Sequence, residues 1–270
     1  MRRTFWLLLI AGFINSLYAQ VGHVIEVVGD VKIFRFDSET NTTKEYAVLL
    51  KKDENQTTIP YEILKNDKLK TLANARAKIN LIDDTVVTIG KNSEFLVNEF
   101  FYEQNNTASK AQLNFAQGAF RSASGKIAKI VPQNFKLKTK TATIGIRGTE
   151  ILGMVGENED KIACTKGELA VSSLDEKGEV SVKAGQITKV KKDETPEPAR
   201  EYTLDELQEF LDSAGEADEE IRKALGVAPF VNSSENNETN SSIKLERLES
   251  PKAPQEEVRQ KKLLEKIFKF

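Results

Sequence analysis

The sequence predicts an all-β body followed by a helical, polar tail, and three observations carry that prediction. From residue 20 to about residue 192, apolar residues come in short alternating runs broken by Gly, Asn and Asp, the pattern of half-buried strands. No run of ten or more residues in this body has a helical period. The composition then changes at Thr195-Pro196-Glu197-Pro198, a chain breaker beyond which apolar residues fall at helical spacing or vanish. With 270 residues, 39% hydrophobic and 30% charged, the chain is long enough for a sizeable core.

Taken in order, the elements begin with a leader. Met1-Arg2-Arg3 is a positively charged start, Phe5 to Ile14 is an apolar run, and Ala19 closes a small-residue cleavage site. Residues 1–19 therefore read as a secretory signal peptide, because the apolar run is about half of the roughly 20 residues that a membrane span needs. No Cys follows it to receive a lipid. In the body (residues 20–192), His23 to Val28 and Asp30 to Phe36 read as a strand pair around Gly29. Lys78 to Ile82 and Thr85 to Ile89 alternate about a turn at Asp83-Asp84. Phe95 to Val97, Phe100 to Tyr102, Gln112 to Phe115 with Gly118 to Phe120, Phe135 to Thr139, and Ile162 to Thr165 follow as strands. Lys166-Gly167-Glu168-Leu169-Ala170-Val171 returns as Lys177-Gly178-Glu179-Val180-Ser181-Val182, with a hairpin turn at Asp175 to Gly178. The expected core contains Val27, Val31, Ile79, Leu81, Val86, Ile89, Phe95, Phe115, Phe120, Leu137, Ile146, Ile151 and Val171.

The tail spans a linker with short helices (193–231), a disordered linker (232–253) and an amphipathic helix (254–270). Thr203 with Glu206 forms a capping box, and Leu204, Leu207, Phe210 and Leu211 share one helical face. A second short helix is expected from Glu216 to Leu225. The stretch NSSENNETNSS at 232–242 has almost no apolar residue and cannot bury a core. Pro254 opens the last helix, in which Val258, Leu263, Leu264, Ile267 and Phe268 form a stripe suited to its own domain, a partner or peripheral membrane contact.

Composition also excludes functions. A formal net charge of −2 argues against a nucleic-acid binder. One His (His23) and one Cys (Cys164) exclude a His/Cys zinc site, a disulfide framework, a haem motif and a Ser/His/Asp or Cys/His nucleophile. Cys164 reads as a small buried hydrophobe on a strand. Carboxylates are plentiful, yet no spacing selects a catalytic pair. No catalytic, cofactor or metal residue is named, and the chain is read as a non-enzyme.

One segment is more specific. Val21 to Val31 (VGHVIEVVGDV), then Asn66 to Thr71 with Ile79 to Ile89, then Phe135 to Ile151, then Val182 to Gln186 occur in the order of the FecR domain, a bacterial envelope module, and resemble it. The family's "T-P-x-A-x-x-x-x-R-G-T-x-F" signature is matched by Thr139, Ala142, Arg147, Gly148 and Thr149, with Lys140 where Pro is common and Ile151 where Phe is. Many short strands with regular turns suit a sandwich, a roll or a solenoid. The resemblance implies the solenoid- or roll-like form, and the signal peptide implies a periplasmic location. A structural role is expected for the signature. Gly148 permits a backbone that a β-carbon would strain, and Arg147 pairs with a carboxylate such as Glu150. FecR-type sigma regulators carry a cytoplasmic anti-sigma segment. Only four residues precede the apolar run here, so that segment is expected to be absent.

The second feature is a set of six Asn-x-Ser/Thr acceptors, at Asn41, Asn55, Asn105, Asn232, Asn237 and Asn240. Five have an acidic residue two positions earlier (Glu39, Asp53, Glu103, Glu235, Glu238), where composition alone gives about 0.9. Only Asn232, preceded by Phe230, lacks it. The extended pattern resembles the acceptor of bacterial periplasmic N-oligosaccharyltransferases and selects Asn41, Asn55, Asn105, Asn237 and Asn240 for glycosylation. The functional expectation is a non-enzymatic periplasmic module that binds an envelope protein or cell-wall component. The alternatives are a periplasmic sensor or regulator, and a peptidoglycan- or carbohydrate-binding protein using Phe100, Phe101 and Tyr102.

Overall fold

A computed structural model of the protein describes residues 20–215. The leader, the second tail helix, the 232–253 linker, the C-terminal helix and the acceptors Asn232, Asn237 and Asn240 lie outside the described residues. The chain winds back and forth between two facing layers. Strand β1 (Gln20–Val28) lies in the first layer, and Gly29, at φ +67°, turns the chain into β2 (Val31–Asp37) of the second. The sequence expectation that these two strands pair is therefore wrong. They occupy opposite layers and each pairs with later strands.

Strand β3 (Thr42–Ala47) returns beside β2, and a small separate hairpin of β4 (Lys51–Lys52) and β5 (Thr58–Ile59) leads to β6 (Tyr61–Leu64) beside β1. Strand β7 (Lys68–Thr71) enters the second layer, and the hairpin β8 (Arg76–Leu81) with β9 (Val86–Ile89) the first. Strand β10 (Glu94–Phe101) pairs in the second layer with the first half of β11 (Lys110–Ala123). Beyond Gly118 the second half of β11 pairs in the first layer, with β9. Gly118 has φ +87°, and a β-carbon there would lie 2.1 Å from Ser93 Oγ, so glycine is required at this bend.

After a short helix α1 (Lys126–Ile130), β12 (Phe135–Lys138) and β13 (Ala142–Ile146) lie in the second layer and β14 (Glu150–Val155) and β15 (Glu159–Lys166) in the first. Strands β16 (Glu168–Ser173) and β17 (Glu179–Lys183) return to the second, and β18 (Gln186–Lys191) and β19 (Arg200–Glu201) close the first. The first layer reads β6-β1-β8-β9-β11-β14-β15-β18-β19 and the second β3-β2-β7-β10-β11-β12-β13-β16-β17. Chain order thus advances across both layers, which makes the body the all-β, roll-like structure that the sequence implies.

The core lies between the layers. Ile79, Leu81 and Ile89 from the first meet Phe95, Phe115 and Leu137 from the second in one buried cluster, as alternation of side chains demands. Two expected core residues differ. Val86 is half-buried because Val87, not Val86, points inward, and Val27 is half-buried beside the bulge at Ile25. At the bend, Phe115 and Phe120 stack with ring centroids 3.7 Å apart.

Helix α2 (Leu204–Ala214) has the expected capping box, with the Glu206 N–H donating to Thr203 Oγ1 at 3.2 Å and the Thr203 N–H to Glu206 Oε2 at 2.9 Å. Leu207, Phe210 and Leu211 pack outside the first layer on Leu152, Ala163 and Ile187, a second cluster separate from the main core. Gly90 admits the helix. A β-carbon there would lie 1.9 Å from the Ser213 carbonyl oxygen.

Candidate functional site

The signature residues occupy the segment that carries the chain from one layer to the other. Phe135 to Lys138 alternate inward and outward, and a tight turn follows in which the Thr139 N–H donates to Ala142 O at 2.9 Å and the Ala142 N–H to Thr139 Oγ1 at 3.0 Å. Thr139 and Ala142 are both buried. Between them, the Thr141 N–H donates to Asp160 Oδ2 at 2.9 Å, and its hydroxyl lies 2.6 Å from that oxygen and 2.9 Å from Val190 O. The Gly156 N–H reaches Asp160 Oδ1 at 3.2 Å. One buried carboxylate thereby ties the β12–β13 turn to the β14–β15 turn.

Arg147, Gly148 and Thr149 form the crossover from β13 to β14. Gly148 is exposed at φ +62° with open space around its Cα. The Thr149 N–H donates to Ser124 Oγ at 2.8 Å, and Thr149 O accepts from the Ser124 N–H at 3.0 Å, which fastens the crossover to the connection before α1. Arg147 is exposed and has no ion pair among the described residues. The expected Arg147–Glu150 pair does not form. Glu150 instead accepts from Arg121 on neighbouring β11, at 3.0 Å from Nε and 2.9 Å from Nη2.

The other buried carboxylates are also spent on the fold. Asp67 accepts from Arg35 Nε at 2.8 Å and from the Leu64 N–H at 2.8 Å. Asp83, expected as a turn residue, accepts from the Thr85 N–H at 3.1 Å and the Ile127 N–H at 3.3 Å. Burial pushes its carboxyl above the usual range, against these hydrogen bonds. Cys164 is buried on β15, and desolvation pushes its thiol up to about 12, which makes it a poor nucleophile. Among the described residues, no three His, Cys, Asp or Glu side chains converge as a metal site. The Phe100–Tyr102 run divides, with Phe100 in the core, Tyr102 half-buried and Phe101 exposed, so it offers no flat aromatic platform.

The three acceptor asparagines within the described residues are all exposed in turns: Asn41 between β2 and β3, Asn55 between β4 and β5, and Asn105 between β10 and β11. Asn41 and Asn105 take φ of 51° and 62°. The acids two residues earlier differ in how they are engaged. Asp53 Oδ1 accepts from the Asn55 N–H at 2.9 Å and the Thr57 N–H at 2.8 Å, while Glu103 accepts from the Asn106 side-chain amide. A feature that the sequence reading missed is a 320 Å³ hollow between the end of α2 and the first layer, bordered by Lys91, Gln117, Met154, Lys161 and Ser213.

Residues 67–188 match the FecR protein family. That span runs from the turn before β7 through the first half of β18, and the resemblance at Val21 to Val31 lies outside it. Two crystal structures of a candidate anti-sigma factor from Parabacteroides distasonis are similar, at 10% and 11% identity and TM-scores of 0.42 and 0.43. Each match covers 54% of this chain and 64% of that one, less than two thirds of their length. No curated protein matches the sequence.

Proposed function

We propose, from the premise that residues 67–188 are a FecR domain, that this protein is a non-enzymatic binding module of the bacterial cell envelope. In this reading the leader exports it to the periplasm, and the roll serves as a rigid scaffold that docks an envelope protein or a cell-wall component. One observation carries the reading: each of the three buried carboxylates, Asp67, Asp83 and Asp160, accepts backbone N–H bonds that hold turns together. Such groups build a scaffold and leave recognition to the surface. The test is cross-linking of the natively expressed protein in intact cells, followed by mass spectrometry of what co-purifies. A reproducible envelope partner is expected, and recovery of none would sink the reading.

The FecR match itself favours a second reading, a periplasmic component of a signalling system. That role needs a membrane element or a membrane partner. Fractionation separates the two, because a mature chain that is wholly soluble in the periplasm weakens the signalling role. Glycans on Asn41, Asn55, Asn105, Asn237 and Asn240, and peripheral membrane contact by residues 254–270, belong to the same proposal.

A further inference from the structure

The two ends of the roll are finished differently. At the C-terminal end, Thr195 to Ala199 run along the last strands. The Glu197 N–H donates to Lys189 O at 2.8 Å, Thr188 Oγ1 donates to Glu197 O at 2.6 Å, and Ala199 packs on the core. This strap contains Pro196 and Pro198, which have no N–H to offer a neighbour. The outer strand β17 is short, carries Glu179 and Lys183 without ion partners among the described residues, and has its Lys183 N–H taken by Gln186 at 3.0 Å. Unpaired charges of this kind discourage an added strand.

At the N-terminal end, β3 is the outer strand of the second layer, and nothing comparable among the described residues guards it. Its six residues contain no proline and pair only with β2. Val48 N–H donates to Val31 O at 2.8 Å, which makes Val31 and Val48 a hydrogen-bonded pair of the antiparallel ladder. Such pairs alternate, so Ile33–Tyr46 and Arg35–Lys44 are bonded too. The N–H and C=O groups of Thr43, Glu45 and Ala47 therefore point away from β2, to the free edge. The two charges on the strand each have an ion partner within the chain, Lys44 in Asp37 and Glu45 in Lys32 at 2.6 Å. Four of the nine exposed large apolar side chains of the described residues fall between positions 36 and 59: Phe36 (49% exposed), Tyr46 (39%), Leu49 (72%) and Ile59 (48%).

We propose that the free edge of β3 is the docking surface of the binding module, and that it takes an extended segment of another protein by strand addition. The incoming segment bonds to the backbone of Thr43, Glu45 and Ala47 and carries apolar side chains at alternate positions to meet Tyr46 on one face or Phe36 on the other. A second copy of this chain fits poorly. Two-fold pairing of β3 with itself in its two central registers sets Lys44 against Lys44 or Glu45 against Glu45, and like charges directly opposite are destabilising. The proposal rests on the binding-module reading and names its surface.

The test uses residues 20–270 and ten-residue peptides selected on that protein from a random displayed library. Amide exchange of the free protein should show Lys44 and Tyr46 protected and Thr43, Glu45 and Ala47 fast. A selected peptide should slow those three amides at least tenfold, and Glu45→Pro should weaken its binding at least tenfold. Glu45→Pro removes an N–H that the β2 ladder does not use, and Ala47→Pro does the same at the next free position, so either can serve if the other fails to fold. The proposal is overturned if the library gives no binder, or if binders leave the three amides fast. It is also overturned if those amides are already slow in the free chain, which would mean that the protein's own tail covers the edge. A native partner recovered equally by wild type and Glu45→Pro overturns the edge alone and leaves the binding-module reading intact.

Discussion

Asp160→Ala should loosen the signature segment by an amount that follows from its hydrogen bonds. The carboxylate is fully buried at the start of β15 and serves the Thr141 N–H, the Thr141 hydroxyl and the Gly156 N–H. Truncation leaves the hydroxyl with Val190 O as an alternative acceptor at 2.9 Å. The Thr141 N–H has no other acceptor among the described residues, whereas the exposed Gly156 N–H also donates to Glu159 O at 3.1 Å. A buried donor left unpaired costs about 1–3 kcal/mol, so Asp160→Ala should cost about 1–3 kcal/mol, a sizeable share of the ~5–15 kcal/mol of a typical domain. Asp160→Asn keeps one acceptor oxygen, which can still serve the Thr141 N–H, so its cost should fall below that of Asp160→Ala. The one tryptophan of the sequence, Trp6, lies in the expected leader, so urea unfolding is best followed by far-ultraviolet circular dichroism. A loss below about 0.5 kcal/mol at unchanged m value, the range of an ordinary surface substitution, would refute the reasoning that Asp160 holds the two turns together.

Three further outcomes are expected. Gly90→Ala drives a β-carbon into the backbone of Ser213 and Ala214, so α2 should lift. Its amides should exchange at least about tenfold faster while the strands keep their protection, as separate local stabilities allow, and unchanged α2 exchange would contradict the packing. Glu206 is held down at about 2, chiefly by its hydrogen bonds to Arg200 and then by the Thr203 N–H. Its folded value lies below the unfolded one of about 4.3, so its contribution is complete above that value and is lost as pH falls towards 2. Docking of α2, read by amide exchange, should persist at pH 5 and fail towards pH 2, and Glu206→Gln should remove this step. For glycosylation, glycopeptide mass spectrometry of natively expressed protein should find glycans at Asn41, Asn55, Asn105, Asn237 and Asn240, with Asn232 bare. Asp53 is bonded on both sides of the Asn55 acceptor, so folded protein should be modified at Asn55 more slowly than at Asn41. Equal occupancy at Asn232 would remove the acidic-residue rule.

Local chemistry was enough to determine much of this protein. The β8–β9 and β16–β17 hairpins follow from period-two alternation and from the Asp83-Asp84 and Asp175 to Gly178 turns, which act within a few residues. The α2 helix follows from Thr203, Glu206 and a single apolar face. The order of short motifs from Asn66 to Gln186 pointed to the FecR match, because those residues form turns and crossovers that a roll must repeat. Tertiary structure alone decided how the strands are sorted into layers. The strands β1 and β2 look like a hairpin in sequence, yet each has one apolar face, and in the structure those faces meet across the core from opposite layers. The same sorting separates Arg147 from Glu150. Three residues apart in the chain, they flank a change of layer, and Glu150 finds Arg121 on the neighbouring strand instead. The edge of β3 was illegible for the same reason: which backbone groups remain unpaired depends on which strand lies beside them, and no periodicity in a single chain records that.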